Sequence, residues 1–308
     1  MRAAAGVRLW RSLPLAFALA GVAAAAHAGE YIKSYAIAGR ANVRISTDDG
    51  NVRVVTSDAK QVDFRVKYDQ SPWRLGFGSQ PHVDSDRKGD VIELNARAGW
   101  QIGVGIGGAQ MAIEVRMPRD GDLQLETQDG RTEIASLNGR VIAHSVDGGI
   151  QISQVTGTID IHSTDGAIKA TALKGDLKLE TSDGSITGSD LDGRCSVHTS
   201  DGAVHVAGRF DSLDLKSADG MVTARVESGS TISSTWHIRS SDGAVRVALP
   251  SDFKANLDAT TSHGRIAVNL PAAANGSTGK SEFHGTLNGG GPSVVVHTDD
   301  GAIDLNGL

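Results

Sequence analysis

A glycine recurs every 18 residues through the middle of the chain, and this period constrains the fold more than any other feature. The series comprises Gly130, Gly148, Gly166, Gly184, Gly202 and Gly220. A second series falls midway between them and comprises Gly139, Gly157, Gly175 and Gly193. A fixed short period of this kind is typical of a solenoid, in which each repeat packs only on its neighbours.

Each half-repeat contains two apolar residues separated by a polar one, as in Ile159, Asp160 and Ile161. This alternation predicts a strand with one buried face. Two strands and two turns then form a coil of about 18 residues, and successive coils stack in parallel about 4.8 Å apart. Because crossovers between parallel strands are right-handed, the sequence predicts an all-β, right-handed parallel β-helix.

The corners of the repeat carry a hydroxyl three residues before the glycine and, in nearly all copies, an aspartate one residue before it. The hydroxyl residues are Thr47, Thr127, Ser145, Ser163, Thr181, Thr199, Ser217, Ser240, Thr261 and Thr298. We expect each hydroxyl to point inward and to bond the turn backbone or the next coil. We expect the aspartate side chain to satisfy the turn backbone and the glycine to supply a positive φ.

Calcium bound between stacked aspartates is the alternative interpretation of the corners. The calcium-binding nonapeptide G-G-x-G-x-D-x-U-x needs glycines at its first, second and fourth positions and aspartate at its sixth. The nonads of this chain have glycine first and aspartate ninth. We therefore expect structural aspartates, no metal and no cofactor.

The most regular repeats span residues 121–225, and the copies on either side are spaced differently. Corners beginning at Ser217, Ser240, Thr261 and Thr298 follow one another at 23, 21 and 37 residues. We interpret the extra residues as loops between successive coils. An early corner at Thr47 is separated from the regular repeats by an excursion of about residues 69–110.

The excursion contains Trp73, Phe77 and Trp100 in a chain with only 4% aromatic residues. Large rings in an irregular segment predict either a cap over the open end of the solenoid core or a partner-binding patch. These three residues are the candidate binding site that the sequence offers.

The first 28 residues have the pattern of a secretory signal peptide. Arg2, Arg8 and Arg11 precede the apolar run LPLAFALAGVAAAA, and Ala26-His27-Ala28 is a cleavage site. The domain organisation is therefore a signal peptide at 1–28 and one solenoid domain at 29–308. Without the leader, the chain has 27 basic and 36 acidic residues, which gives a net charge of −9. This charge argues against a nucleic-acid partner, and no span long enough to cross a membrane remains after cleavage.

Three enzyme-like features have structural explanations. The single cysteine, Cys195, replaces Leu, Val or Ile of neighbouring repeats and is predicted to be a buried small hydrophobe. His144, His162 and His198 each precede a hydroxyl, but adjacent strand residues point to opposite faces, so we expect a solvated histidine face. A G-x-G-x-x-G motif at Gly103, Gly105 and Gly108 precedes a strand instead of the helix that a dinucleotide site needs.

The segments IEVRMPRDGDLQLETQDG, RVALPSDFKANLDATTSHGRIAVNL and VVVHTDDGAIDL, with the corner repeats between them, resemble the bacterial putative-adhesin β-strand-repeat family of unknown function. The resemblance covers about residues 42–308. It implies a right-handed parallel β-helix on an exported or surface-facing protein and brings no catalytic residues to this chain. His263 stands where the repeat has aspartate, and the excursion also departs from the family pattern.

Together these features predict a non-enzymatic, exported cell-envelope protein, an adhesin-like rigid solenoid for surface adhesion or scaffolding. Its partner would be a surface ligand, a polysaccharide or an envelope protein, and its location periplasmic, secreted or on the cell surface. Two alternatives remain open from the sequence. One is a sensor or regulatory module of envelope stress, and the other is a polysaccharide-active β-helix enzyme.

Overall fold

The structure is a computed structural model that describes residues 28–69, 76–78, 81–99, 101–103, 111–270 and 274–308. Every regular element in these ranges is a β-strand, which confirms the all-β prediction. Most strands form one sheet of 25 strands, folded so that it runs as two ladders around a common core.

The first nine strands precede the regular repeats. They are β1 (Ala28–Ala36), β2 (Ala41–Thr47), β3 (Asn51–Ser57), β4 (Gln61–Asp69), β5 (Gly76–Gly78), β6 (His82–Lys88), β7 (Val91–Arg97), β8 (Gln101–Gly103) and β9 (Met111–Pro118). The described part of the excursion predicted at 69–110 is thus built mainly of strands. Its β7 pairs in parallel with β2, whereas β5 and β8 form a separate antiparallel pair.

The regular repeats form ten strands. They are β10 (Gly121–Thr127), β11 (Thr132–Ala135), β12 (Asn138–Ser145), β13 (Ile150–Ser153), β14 (Thr156–Ser163), β15 (Ile168–Thr171), β16 (Lys174–Thr181), β17 (Ile186–Thr199), β18 (Val204–Ser217) and β19 (Val222–Val226). All their pairings with one another are parallel. Val141 pairs with Ile159 and Ile159 with Leu177, so partners lie 18 positions apart along the sequence.

The C-terminal part adds eight strands. They are β20 (Trp236–Ser240), β21 (Val245–Leu249), β22 (Ala255–Thr261), β23 (Ile266–Asn269), β24 (Ala274–Thr278), β25 (Glu282–Leu287), β26 (Ser293–Thr298) and β27 (Ile303–Gly307). The first ladder runs β1-β4-β9-β3-β11-β13-β15-β17-β18-β19-β21-β27-β23, and the second runs β6-β7-β2-β10-β12-β14-β16-β17-β18-β20-β26-β22-β25-β24. The long strands β17 and β18 contribute to both ladders.

The coils do not stack in the order of the sequence at either end. The last coil, β26 and β27, lies between the coil of β20 and β21 and the coil of β22 and β23. Near the N-terminus, β2 and β3 lie between β7 and β9 on one side and β10 and β11 on the other. The expectation that successive corners mark successive coils is therefore wrong for the irregular copies. A coil can bury its apolar residues against any other coil of the repeat, so the sequence pattern alone does not determine the order in which the coils stack.

The core consists of the predicted apolar columns. Leu177, Cys195 and Leu213 follow one another in register and are all buried. Burial raises the pKa of the Cys195 thiol to about 12, which keeps it neutral and confirms its packing role. Each buried aliphatic side chain of this kind contributes about 1.5–3 kcal/mol.

Tyrosines on β1 link the N-terminal ends of the two ladders. The hydroxyl groups of Tyr31 and Tyr35 lie 2.6 and 2.8 Å from Oγ of Ser85 on β6. The ring of Tyr35 packs edge-on against the buried ring of Phe64, with centroids 6.1 Å apart. These contacts hold β1, the first strand of the first ladder, against β6, the first strand of the second.

Candidate binding surfaces

Most of the corner hydroxyls bond to the backbone of a neighbouring coil. Oγ of Ser217 accepts a hydrogen bond from the Gly220 N–H at 2.9 Å and donates to the carbonyl oxygen of Gly202, in the preceding coil, at 3.0 Å. Thr181 makes the same two bonds with Gly184 and Gly166. All ten hydroxyl residues are buried. The predicted inward hydroxyl is confirmed, and its repetition serves the stacking of the coils.

Replacing Ser217 by alanine is expected to lower the free energy of unfolding by about 1–3 kcal/mol, because two buried backbone groups lose a partner. Ser145 gives a matched control, since its Oγ is equally buried but has no hydrogen-bond partner. Ser145→Ala should be neutral or slightly stabilising. Urea unfolding of both variants measures the difference, and equal losses would contradict the hydroxyl ladder.

The corner aspartates lie outside this network. Asp165 is exposed, and its backbone N–H donates to the Val146 carbonyl oxygen at 2.9 Å. In the described part of the chain, no hydrogen bond joins its carboxylate to the turn backbone, so the expected side-chain role in the turn is wrong for Asp165. The hydroxyl fulfils that role instead. Partial desolvation, followed by the carboxylates of Asp183 and Asp147, raises the pKa of Asp165.

Asp165→Asn should therefore make the protein more stable than the wild type at pH 7. A carboxylate whose pKa is raised by folding opposes the folded state at neutral pH and ceases to do so once both states are protonated. The advantage of the variant should fade as the pH falls through the folded-state pKa. Thermal unfolding across a pH series measures it.

Asp176→Asn is the matched control with the opposite sign. Arg194 binds both carboxylate oxygens of Asp176, at 2.6 and 2.7 Å, and lowers its pKa. This variant should be less stable than the wild type at pH 7, and the deficit should fade in acid as Asp176 itself becomes protonated. The same direction of change in both variants would contradict the assignment.

A row of histidines follows the outer face of the second ladder. The rings of His144 and His162 lie 5.8 Å apart, and Nδ1 of His198 lies 3.6 Å from the Glu180 carboxylate. The hydroxyl residue after each histidine is buried, whereas the histidines face solvent. This confirms the predicted solvated face. Across the described ranges, no group of three His, Cys, Asp or Glu residues could hold a metal ion.

The candidate site predicted from the aromatic residues is only partly covered by the structure. Trp73 and Trp100 lie outside the described residues, as do Gly105 and Gly108 of the G-x-G-x-x-G motif. The backbone of Phe77 lies in β5 and pairs with Ile102 of β8. The choice between cap and binding patch therefore stays a prediction.

The first ladder carries a cleft of about 610 Å³ on its outer face, near the N-terminal end. Charged side chains dominate its lining, which comprises Arg53, Arg65, Lys67, Arg131, Glu114 and Glu133, together with Asn51, Val52, Ala112 and Ile113. The four cations outnumber the two carboxylates in a chain whose formal net charge is −6.

Short side chains between longer ones create this cleft. Asn51 of β3 pairs with Ala112 of β9, and Ala112 pairs with Lys67 of β4. Arg131 lies beside Asn51, whose Oδ1 accepts its backbone N–H at 3.0 Å. Lys67 and Arg131 thus stand on opposite sides of a low floor, three strand spacings or about 14 Å apart.

Most of the other charged side chains around the cleft form ion pairs. Arg65 contacts Glu30 at 2.7 Å, Glu114 contacts Arg116 at 2.8 Å, and Arg53 lies 3.9 Å from Glu133. Lys67 and Arg131 have no ion-pair partner among the described residues. Sequence analysis missed the cleft because its residues come from four strands whose pairing follows no repeat spacing.

Comparisons with known proteins found a family match and distant structural neighbours. Residues 78–306 match the Toastrack DUF4097 family, and no curated protein matches the chain. Among solved structures, a putative cell adhesion protein from Clostridium sporogenes is 10% identical, with a TM-score of 0.28 and coverage of 92% of this chain and 100% of that chain. A putative adhesin from Bacteroides fragilis is 10% identical (TM-score 0.42; 91% and 97% covered), and one from Parabacteroides merdae is 9% identical (TM-score 0.39; 90% and 95% covered). Since the family match spans most of the chain and agrees with the resemblance seen in its repeats, the chain belongs to the Toastrack DUF4097 family.

Proposed function

We propose that this protein is an exported, non-enzymatic component of the cell envelope that acts as a rigid, adhesin-like scaffold. The observation that carries the proposal is the continuous stack of coils, which gives two long outer faces over a core closed by repeated backbone contacts. Nine steps between ten corners span about 43 Å. Such a stack holds surface groups at fixed spacing, which suits the binding of an extended ligand or partner.

The outer faces supply polar and charged groups for binding. The corner hydroxyl residues are buried, so the side chains that remain for recognition are those between the buried columns. On the second ladder these include Asp160, Lys178 and the histidine row. Among the described residues, no helix is long and apolar enough to cross a membrane.

Several finer features belong to the same proposal. The leader of residues 1–28 directs export, and residues 29–308 form one domain in the periplasm or at the cell surface. The coils wind right-handed with about 18 residues each, as the crossover rule favours. The aromatic excursion with Trp73, Phe77 and Trp100 either caps the core or binds the partner.

Cell fractionation with protease shaving tests the location, and N-terminal sequencing of the mature protein tests the leader. We expect a mature chain that begins at Gly29 and is found in the periplasm, at the surface or in the medium. A variant without residues 2–28 should remain in the cytoplasm. Full-length protein that stays cytoplasmic with an intact N-terminus would overturn the proposal of export.

The double variant Trp73→Ala/Trp100→Ala separates the two roles of the excursion. Removing a cap should lower the free energy of unfolding, since buried aromatic side chains cost about 3–5 kcal/mol when truncated. Removing a binding patch should leave the unfolding curve unchanged and weaken the attachment of the protein to cells. If neither stability nor attachment changes, both roles are wrong.

A further inference from the structure

We propose that the cleft on the first ladder binds a short segment of an acidic glycan, with its anionic groups held by Lys67 and Arg131. This inference rests on the proposed export and deepens it, because it assigns a site and a class of ligand to the scaffold. Neither the family match nor the repeats assign a role to these residues.

The arrangement of charges around the cleft is the first reason to expect an anionic ligand. Glu30, Glu114 and Glu133 are engaged by Arg65, Arg116 and Arg53, whereas Lys67 and Arg131 have no carboxylate within ion-pair distance in the described ranges. Both cations are exposed. An anionic ligand would therefore meet two cations that need not first break an ion pair.

The dimensions of the cleft are the second reason, because they suit a short, extended ligand. A volume of about 610 Å³ falls in the range of small-ligand sites, which is about 300–1,000 Å³. The floor is the methyl group of Ala112 and the amide of Asn51, so the ligand can lie flat between the flanking side chains. A separation of about 14 Å between the flanking backbones suits a ligand with several anionic groups along its length.

The chemistry of the lining favours a sugar over other polyanions. Guanidinium groups bind carboxylate, phosphate and sulfate oxygens through charge-assisted and often bidentate hydrogen bonds. Asn51 offers an amide to sugar hydroxyl groups. The net negative charge of the chain, −6, repels long, uniformly charged polymers and anionic membranes, which favours a short segment of polymer.

Titration calorimetry of the purified full chain at low ionic strength tests the site. Tetragalacturonate is the carboxylated probe, inorganic phosphate is the single-anion probe, and a neutral dextran tetramer is the uncharged control. We expect tetragalacturonate to bind, the dextran tetramer not to bind, and phosphate to bind more weakly. The affinity for tetragalacturonate should fall as salt is added.

Two sets of variants locate the binding. Lys67→Gln/Arg131→Gln should weaken tetragalacturonate binding by about tenfold or more. Lys169→Gln/Lys216→Gln removes the same charge from exposed positions elsewhere and should change the affinity by less than about twofold. Ala112→Leu fills the floor without changing charge and should also weaken binding. All five substitutions lie at exposed positions, and unchanged melting curves will confirm folding.

Three outcomes would overturn the site or its ligand. If the dextran tetramer binds as well as tetragalacturonate, charge does not direct recognition. If the Lys169/Lys216 variant loses as much affinity as the Lys67/Arg131 variant, attraction is diffuse and the cleft is not a site. If phosphate binds as tightly as tetragalacturonate, the cleft takes a single small anion and no glycan. These results are independent of fractionation, so failure of export and failure of the site can be told apart.

Discussion

Truncating the chain after Pro292 is expected to unfold the region from about residue 250 onward and to lower the stability of the whole stack. The truncation removes β26 and β27, which lie between neighbours on both sides. Val294, Val296, Ile303 and Leu305 are buried there and contribute together about 6–12 kcal/mol. This sum is comparable to the total stability of many proteins.

The truncation distinguishes two stacking orders. If the coils followed the sequence, β22 would pair with β20, and removing the last coil would only shorten the stack. In the interleaved order, β22 keeps only its pairing with β25 of the β24–β25 hairpin, and β23 loses β27, its one strand partner among the described residues. Limited proteolysis should then cleave the truncated chain between residues 250 and 292. Deletion of Leu308 alone, an exposed residue, is the control and should leave this region protected.

The repeat predicts the contacts within a coil well because they depend on local spacing. The apolar columns, the inward hydroxyls and the burial of Cys195 all follow from which residues lie two positions apart on a strand. The order of the coils does not follow, because the corners at Thr261 and Thr298 both have the hydroxyl residue and the glycine of the repeat and are followed by the same alternation of apolar residues. A coil stacked on the wrong neighbour would still match the repeat pattern, so only the tertiary structure reveals which neighbour it contacts.

The candidate site is even harder to predict from the sequence, because it too depends on which strands become neighbours. Lys67, Ala112 and Arg131 are far apart in sequence and meet only because β9 lies between β3 and β4. An exposed alanine next to a lysine on another strand leaves no periodic signal. A surplus of cations at outward positions could have been noticed, but their convergence could not.

The turn glycines show that a correct prediction can rest on a wrong reason. The sequence predicts a positive φ at Gly184, but Gly184 lies outside the left-handed region. In the first series only Gly130 has a positive φ, 95°, whereas all four glycines of the second series do, including 136° at Gly157 and 124° at Gly175. At Gly184 the constraint is contact, because a Cβ there would overlap the carbonyl oxygen of Gly166 and lie 2.6 Å from its carbon.

Gly184→Val is therefore expected to destabilise the protein by at least about 3 kcal/mol, the upper end of the cost of overpacked cores. The obstructing atoms are backbone atoms of the adjacent coil, which cannot rotate away as a side chain would. Separating the two coils locally would also lengthen the hydrogen bonds that Thr181 donates across them, to the carbonyl oxygens of Thr164 and Gly166 at 3.1 and 3.2 Å. Urea unfolding measures the loss.

Substitution of Gly149 is the control that tests whether steric contact causes the loss of stability. A Cβ at Gly149 would meet only the Ala167 carbonyl oxygen, at an ordinary 3.4 Å, and its φ is not in the left-handed region. Gly149→Ala should be neutral or stabilising by up to about 1 kcal/mol, since alanine restricts the unfolded chain. Gly184→Ala should still be clearly destabilising, whereas Lys178→Ala, on the exposed face, should stay within about 0.5 kcal/mol. If Gly184→Ala and Gly149→Ala behave alike, the coils are not stacked through their corner glycines, and the corner motif needs another explanation.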